Sequence, residues 1–113
     1  MADGLMQYTL IGKWWSKDEE IDLVALDEET ATVYFGECKW SNKKVGEDIY
    51  RELVRKSRLV DWQNEKRNNR YILFSKSGFT PRMAELAGKE DILLIHGDKV
   101  LKRRKTVKIL KGK

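Results

Sequence analysis

Two apolar segments joined by a short polar turn are the feature of this sequence that most constrains its fold. Residues 21–26 read Ile-Asp-Leu-Val-Ala-Leu, residues 27–30 read Asp-Glu-Glu-Thr, and an apolar segment at 32–40 ends in Glu-Cys-Lys-Trp. Segments of this kind, separated by turn-forming residues, are typical of a β-hairpin. Apolar residues occupy both alternating sets of positions, so both faces of these strands should be buried. The pattern predicts an α/β layer fold.

The remaining apolar patterns extend the hairpin into a larger sheet. The predicted elements are a strand at 8–15, a helix at 45–65 that ends at Asn68 and Asn69, a strand at 71–74, a short helix at 81–87 between Thr80 as N-cap and Gly88, and a strand at 92–95. The order is therefore β-β-β-α-β-α-β. It predicts a mixed central sheet in which an antiparallel hairpin adjoins a parallel βαβ unit, with helices flanking the sheet.

Length and composition bound the number of domains and the compartment. The chain has 113 residues, of which 41% are hydrophobic, and this suffices for one core. No segment approaches the roughly 18 apolar residues of a membrane span, and no signal peptide is evident, so we expect a cytoplasmic protein without membrane contact. Cys38 is the only cysteine, which excludes an internal disulfide, and a single histidine leaves too few ligands for a structural zinc site.

The charge is distributed unevenly along the chain. The net charge is +5, and residues 99–113 contain eight Lys or Arg and no acid, so residues 1–98 carry −3 (+5 less 8). The sequence therefore predicts one domain over 1–98 and a basic C-terminal tail over 99–113, which is either an edge strand or disordered. Such a tail could contact phosphates, although a solvated terminus is the simpler interpretation.

The hairpin brings together residues that could carry chemistry. Glu37 and Lys39 are two positions apart on a strand, so their side chains share a face. If Glu29 and Thr30 form the tip, Asp22 lies directly across from Glu37. Facing carboxylates are unfavourable without a cation between them, and oxygen ligands suit Mg²⁺ or Mn²⁺. The alternative is an ion-pair cluster in which Lys39 neutralises both acids.

Several motifs, in order, resemble a known family. Residues 20–24 (Glu-Ile-Asp-Leu-Val), residues 36–40 (Gly-Glu-Cys-Lys-Trp) and the helix that follows resemble the core of the PD-(D/E)XK phosphodiesterase superfamily, which includes restriction-type endonucleases and archaeal Holliday junction resolvases. Together with residues 12–15 (Gly-Lys-Trp-Trp) and 73–79 (Leu-Phe-Ser-Lys-Ser-Gly-Phe), they are similar to a domain of unknown function at the C-terminal end of archaeal P-loop ATPases. The resemblance covers roughly residues 8–96.

This resemblance implies a restriction-endonuclease-like core over residues 1–98. By position, Asp22 and Glu37 would be ligands of Mg²⁺ or Mn²⁺, Glu20 a possible additional ligand, and Lys39 the catalytic lysine. The superfamily core begins with a helix that often supplies another acid, and this first core helix is predicted to be missing here. The chain would then be a fragment, or independent of that ligand. No Walker A motif is present, so an ATPase partner domain would lie outside this chain.

Residues near the motif are candidates for binding nucleic acid. The basic candidates are Lys43, Lys44, Arg51 and Arg55, which could contact backbone phosphates. The alternative is a solvated helix face held by (i, i+4) pairs, Glu47 with Arg51 and Glu52 with Lys56.

The tryptophans and the cysteine also have two interpretations each. Trp15 and Trp40 are expected to form an apolar wall beside the acidic cluster, and at least two of Trp14, Trp15 and Trp40 should lie in the core. Stacking of Trp14, Trp15 and Trp40 on unpaired bases is the alternative. Cys38 is expected to be a small core residue and not a nucleophile.

These observations leave two main hypotheses for the function. The first is metal-dependent phosphodiester hydrolysis on nucleic acid, with DNA as the expected substrate. The second is a non-catalytic nucleic-acid-binding or accessory domain of an archaeal P-loop ATPase. A third, pairing of two copies through an exposed sheet edge, would give a homodimer.

Overall fold

The described part of the chain forms one six-stranded sheet with two helices. The structure is a computed structural model and describes residues 10–97 and 99–102. The elements are β1 (Leu10–Ser16), β2 (Glu19–Asp27), β3 (Thr32–Lys39), α1 (Glu47–Ser57), β4 (Asn68–Ser75), α2 (Pro81–Lys89), β5 (Ile92–His96) and β6 (Lys99–Lys102). The strands lie in sequence order, and β3, β4 and β5 are parallel, whereas the other pairs are antiparallel. This mixed sheet flanked by helices confirms the predicted fold class.

The register of the β2–β3 hairpin is the one predicted. Leu23 pairs with Gly36, and the same register continues to Asp27 and Thr32, so Glu29 and Thr30 form the tip. The Asp27 carboxylate accepts the Glu29 N–H at 3.1 Å and stabilises the turn. The polar turn therefore fixes which residues of the two strands become neighbours.

Both helices pack on one face of the sheet. Phe35, Leu73 and Leu94 from the three parallel strands are fully or almost fully buried in one cluster with Leu53 of α1 and Met83 of α2. Buried apolar residues outside this cluster are also present in the sheet, namely Ala25, Ile72 and Ile95. The strands thus bury apolar side chains at both alternating sets of positions, as predicted.

The predicted helix at 45–65 is too long, and the structure corrects it. α1 ends at Ser57, whose hydroxyl donates to the Val54 carbonyl at 2.6 Å. The Arg67 guanidinium then donates to the carbonyls of Ser57 at 2.8 Å and Val60 at 2.7 Å, which stabilises the irregular segment after the helix. Asn68 belongs to β4, where its N–H donates to the Ala31 carbonyl.

The second helix begins as predicted and ends later. Thr80 is its N-cap and accepts the Met83 N–H at 3.1 Å, with Pro81 at the first helical position. Gly88 lies within α2 and not beyond it, because the helix continues to Lys89 and the Glu90 N–H donates to the Leu86 carbonyl.

Two of the predictions concern the ends of the chain. β6 pairs antiparallel with β5, and the rest of the predicted basic tail, residues 103–113, lies outside the described residues. The predicted absence of a first core helix concerns residues 1–9, which also lie outside them. Among the described residues, no helix has the length and apolar composition that a membrane crossing requires.

Gly36 provides a test of the packing around the hairpin. A Cβ atom at this position would lie 3.1 Å from both Cβ and Cδ2 of Leu23, whereas a Cβ at Gly12 in β1 would meet nothing within 4 Å. We expect Gly36→Ala to lower the free energy of unfolding by about 1–3 kcal/mol through overpacking. Gly12→Ala is the control and should stay within about 0.5 kcal/mol of wild type. Urea unfolding of both variants measures the difference, and equal losses would contradict this packing.

Candidate functional site

A β-bulge in β2 marks the place where the candidate residues meet. β1 advances by two residues from Gly12 to Trp14, while β2 advances by three from Val24 to Ile21. The extra residue in β2 interrupts the alternation of faces, and Ile21 and Val24 consequently both pack against the core cluster although they are three apart. Asp22 lies within this irregular step.

Asp22 is held by the backbone of β3. Its Oδ2 accepts the Cys38 N–H at 2.9 Å, and the ladder of paired residues between β2 and β3 stops one step earlier, at Leu23 and Gly36. The carboxylate thus takes the place of a strand carbonyl as hydrogen-bond acceptor. This bond fixes Asp22 beside the segment that carries Glu37 and Lys39.

Glu37 is a buried carboxylate at the end of the apolar part of β3. Its side chain is 11% exposed. Burial raises the pKa of Glu37 above its ordinary value, and the nearby Asp22 charge raises it further, whereas Lys56 and Lys39 lower it. The first effect is desolvation of the charged form, and the second is repulsion between two carboxylates. The charges of the two acids therefore interact, although the β2–β3 ladder ends at Leu23 and Gly36 and does not pair Asp22 with Glu37.

Two lysines neutralise Glu37. Lys39 Nζ lies 3.6 Å from Glu37 Oε2, and its side chain is 42% exposed. Lys56 Nζ lies 3.5 Å from Glu37 Oε1 and donates to the Glu20 carbonyl at 2.7 Å, with only 11% of its side chain exposed. Lys39 therefore faces solvent while Lys56 is enclosed between α1 and the hairpin.

Lys56 is the site residue that sequence reasoning missed. The (i, i+4) spacing predicts a pair with Glu52 on a solvated helix face, but Glu52 instead binds Arg55 at 2.6 Å. The signal was present in the helical spacing, because Lys56 follows the buried Leu53 by three residues and precedes the buried Ser57. A lysine on the buried side of a helix that packs on an acidic strand end is a candidate for pairing with that acid.

The other predicted site residues are not brought to this cluster. The Glu20 carboxylate lies 3.4 Å from Lys13 Nζ, so Glu20 contributes to the cluster through its backbone carbonyl. Arg51 pairs with Glu47 at 2.9 Å, as predicted. Arg55 pairs with Glu19 and Glu52, which leaves Lys43 and Lys44 as the exposed predicted basic residues without an ion pair among the described residues.

The predictions for the tryptophans and for Cys38 are wrong in part. Trp15 and Trp40 are 67% and 66% exposed and do not form a buried wall, whereas Trp14 is partly buried against the core. Cys38 is exposed and does not lie in the core. Side chains alternate along β3, so the buried face at this point is occupied by Glu37, and Cys38 lies on the other face. Partial burial and the charges of Asp22 and Glu37 raise the pKa of the Cys38 thiol, which disfavours a nucleophilic thiolate.

The donor set suits a hard divalent cation. Asp22 and Glu37 supply two carboxylates from adjacent strands, and Mg²⁺ is commonly held by one or two carboxylates together with water and substrate phosphates. Within residues 10–97 and 99–102 there is no group of three or more His, Cys, Asp or Glu side chains arranged to hold a metal ion. Any cation here would therefore depend on these two acids and on groups from solvent or substrate.

The pH dependence of stability tests the environment of Glu37. The folded chain raises the pKa of Glu37 above 4.5, so the native state holds this proton more tightly than the unfolded state. Its stabilising contribution is present below pH 4.5 and is lost as the pH rises through the folded pKa. We expect the stability of Glu37→Gln, relative to wild type, to be higher at pH 7 than at pH 4 in urea unfolding. The exposed control Glu85→Gln should show no such difference, and a flat comparison for Glu37→Gln would contradict the structure.

The fold and the cluster define a mixed α/β domain with an acid–lysine site at the end of a hairpin. Residues 3–49, less than half of the chain, match a family described as archaeal and bacterial proteins of unknown function, DUF234. An uncharacterized protein of Methanocaldococcus jannaschii is 45% identical over 56 residues, which are 48% of this chain and 13% of that protein. The chain thus spans a small part of the length of this relative. No solved structure matches.

The family match covers a segment that includes Asp22, Glu37 and Lys39. It shows similarity to a domain of unknown function found in archaeal and bacterial proteins. The similarity to PD-(D/E)XK phosphodiesterases stays a prediction.

Proposed function

We propose that this domain carries out metal-dependent phosphodiester hydrolysis on nucleic acid, with DNA as the substrate. The observation that carries the proposal is the buried Glu37 carboxylate, which is coupled to Asp22 across the hairpin and placed two residues before a solvent-accessible lysine. Two neighbouring carboxylates at the end of a strand repel each other, and perturbed carboxylates of this kind are concentrated at functional sites.

Each residue has a proposed role. Asp22 and Glu37 would hold Mg²⁺ or Mn²⁺, which when bound acts as a Lewis acid on a phosphoryl oxygen and lowers the pKa of bound water. Lys39 reaches solvent and would donate to a phosphate oxygen as negative charge develops there. The Cys38 N–H keeps Asp22 in place, and Lys56 partly offsets the rise in the pKa of Glu37 and holds its carboxylate between α1 and β3.

The second candidate is a non-catalytic accessory or nucleic-acid-binding domain of a P-loop ATPase. One observation favours it, since Lys39 and Lys56 already neutralise Glu37 at 3.6 and 3.5 Å. A cluster satisfied in this way needs no cation. Under this alternative the domain would bind nucleic acid without turnover.

Thermal unfolding with and without millimolar Mn²⁺ separates the two candidates. A ligand present at about 100 times its dissociation constant adds about 2.7 kcal/mol to the stability of the state that binds it. We expect Mn²⁺ to raise the Tm of wild type and of Cys38→Ala, which keeps the backbone N–H. Asp22→Asn should abolish the rise.

Hydrolysis of labelled single-stranded, duplex and branched DNA completes the test. Cleavage that requires Mg²⁺ or Mn²⁺ and is lost in Asp22→Asn would support the nuclease. No Mn²⁺ response in wild type, together with a neutral or stabilising effect of Asp22→Asn, would reject the nuclease in favour of the accessory domain.

A further inference from the structure

Two loops at the carboxyl ends of β3 and β4 are joined into one unit. These paired loops, residues 40–46 and 76–80, lie beside the site because Lys39 ends β3 and Ser75 ends β4. Hydrogen bonds connect them in both directions: the Val45 N–H donates to the Gly78 carbonyl, the Thr80 N–H donates to the Val45 carbonyl, and the Ser77 hydroxyl donates to the Ser41 carbonyl. In open α/β sheets, ligands commonly bind at the carboxyl ends of the strands.

The Ser75 side chain holds the second of the paired loops, residues 76–80, through hydrogen bonds. Its fully buried hydroxyl donates to the Gly78 carbonyl at 2.7 Å and accepts the N–H groups of Ser77 at 3.2 Å and Gly78 at 2.9 Å. Gly78 has a φ of +95°, and a Cβ there would lie 3.3 Å from the His96 ring. The motif Ser-Lys-Ser-Gly-Phe therefore specifies the shape of the loop.

The surface of the paired loops is basic. Residues 40–46 and 76–80 contain three lysines, Lys43, Lys44 and Lys76, and no acid. Lys43, Lys44 and Lys76 are exposed and have no ion pair within the described part of the chain. The next acid along the chain, Glu47, is bound by Arg51 and Arg82 at 2.9 Å each. These three lysines are consequently available to a polyanion.

An aromatic side chain stands on the same surface. Trp40 directly follows Lys39 and is 66% exposed, whereas Val33 and Phe35 earlier on the strand are fully buried. An exposed indole next to a basic surface is the combination that binds unpaired bases, since bases stack on aromatic rings while the strand's phosphates meet lysines. A base within a duplex has both of its faces covered by its neighbours.

We propose that the paired loops bind an unpaired nucleic-acid strand. One base stacks on Trp40, and the flanking phosphates contact Lys43, Lys44 and Lys76. Since Lys39 is adjacent to Trp40, this binding places the neighbouring phosphodiester at the cluster of Lys39 and Glu37. The inference rests on the proposed function for what happens to that phosphodiester, and binding itself is independent of hydrolysis.

Binding measured in EDTA tests the inference without turnover. The probe is a fluorescein-labelled DNA of about 12 nucleotides, single-stranded or annealed to its complement, titrated with the full chain at about 0.1 M salt. We expect the single strand to bind at least about 10-fold more tightly than the duplex. A duplex that binds equally well would overturn the proposal, and so would the absence of single-strand binding.

Matched variants assign the surface. Trp40→Ala should weaken single-strand binding by about 10-fold, and Trp40→Phe should retain most of it because the ring is kept. Trp15 on β1 is the control, since it is 67% exposed. Trp15→Ala should change the affinity for the single strand by less than about 2-fold. Equal losses for the two alanine variants would overturn the role of Trp40. Circular dichroism confirms that each variant is folded.

Charge reversal tests the lysines. Lys43→Glu combined with Lys44→Glu should weaken binding. The slope of log affinity against log salt concentration should fall by the amount expected for about two phosphate contacts. The control exchanges the same charge elsewhere, Lys66→Glu with Lys89→Glu, and should affect affinity much less. An equal effect of the two pairs would overturn a defined surface. Tight single-strand binding in EDTA without any metal-dependent cleavage would reject the nuclease and leave this inference in place.

Discussion

Replacing Lys39 with methionine is expected to reduce phosphodiester hydrolysis by about 100- to 1,000-fold, the usual effect of removing one donor that stabilises charge in a transition state. Stability should change little, because the Lys39 side chain is 42% exposed and its contact with Glu37 is 3.6 Å long. Initial rates on the best DNA substrate measure the activity. Mn²⁺ binding, measured as a rise in Tm, should persist because Asp22 and Glu37 are unchanged.

The adjacent residue is the matched control for this variant. Cys38→Ala changes the side chain between Glu37 and Lys39 but leaves the N–H that Asp22 accepts. It should retain at least about half of the wild-type rate, since no thiolate chemistry is expected from a thiol with a raised pKa. Wild-type activity in Lys39→Met would remove Lys39 from the proposed mechanism. A loss in Cys38→Ala as large as in Lys39→Met would show that the strand, and not the lysine, is responsible.

Replacing Lys56 with methionine is expected to produce the largest loss of stability at this site. Removing one partner of a buried ion pair commonly costs about 3–5 kcal/mol. Because the Lys56 contact is 3.5 Å long and Lys39 still lies 3.6 Å from Glu37, Lys56→Met should fall at the lower end, about 3 kcal/mol. The Glu20 carbonyl also loses the donor that lies 2.7 Å away. Urea unfolding at pH 7 measures the effect, and Lys66→Met, which alters an exposed lysine, should be nearly neutral.

A double-mutant cycle distinguishes loss of the pair from loss of packing. Combined with Glu37→Gln, Lys56→Met should cost less than in the wild-type background by about 1–3 kcal/mol, since no carboxylate is left unpaired. Additive effects in the cycle would show that Lys56 and Glu37 are not coupled. A neutral Lys56→Met would show that the ammonium is not buried between α1 and the hairpin.

The hairpin and its register could be predicted because they depend on local chemistry. Asp27 and the polar residues after it form the turn, and the alternation of side chains on a strand then fixes which residues face each other. The same alternation predicts that Asp22 lies near Glu37, and the charge of Asp22 does act on Glu37. Thr80 as an N-cap was predictable for the same reason, since its hydroxyl satisfies a helical N–H three residues away.

What could not be predicted depends on contacts between distant segments. α1 ends where Arg67, ten residues later, binds the Ser57 carbonyl, and nothing in the local sequence specifies that contact. The exposure of Trp40 was mispredicted because a tryptophan is usually buried, whereas here the chain leaves the sheet at that residue. Lys56 could not be placed because a lysine in a helix is usually exposed, whereas this one lies on the buried side of α1.

The bulge in β2 has a consequence for aligning related sequences. Ile21 and Val24 reach the same core only because the strand contains one residue more than its neighbour in this step. Deleting one residue between them would remove the bulge and leave both on one face by strict alternation, but it would remove Asp22 or change the position of its carboxylate. We therefore expect homologues that retain the site to align through residues 20–24 without gaps. Insertions and deletions should instead accumulate at the hairpin tip, residues 28–30. The side chains there are exposed, and the number of turn residues does not decide which side chains of a strand are buried.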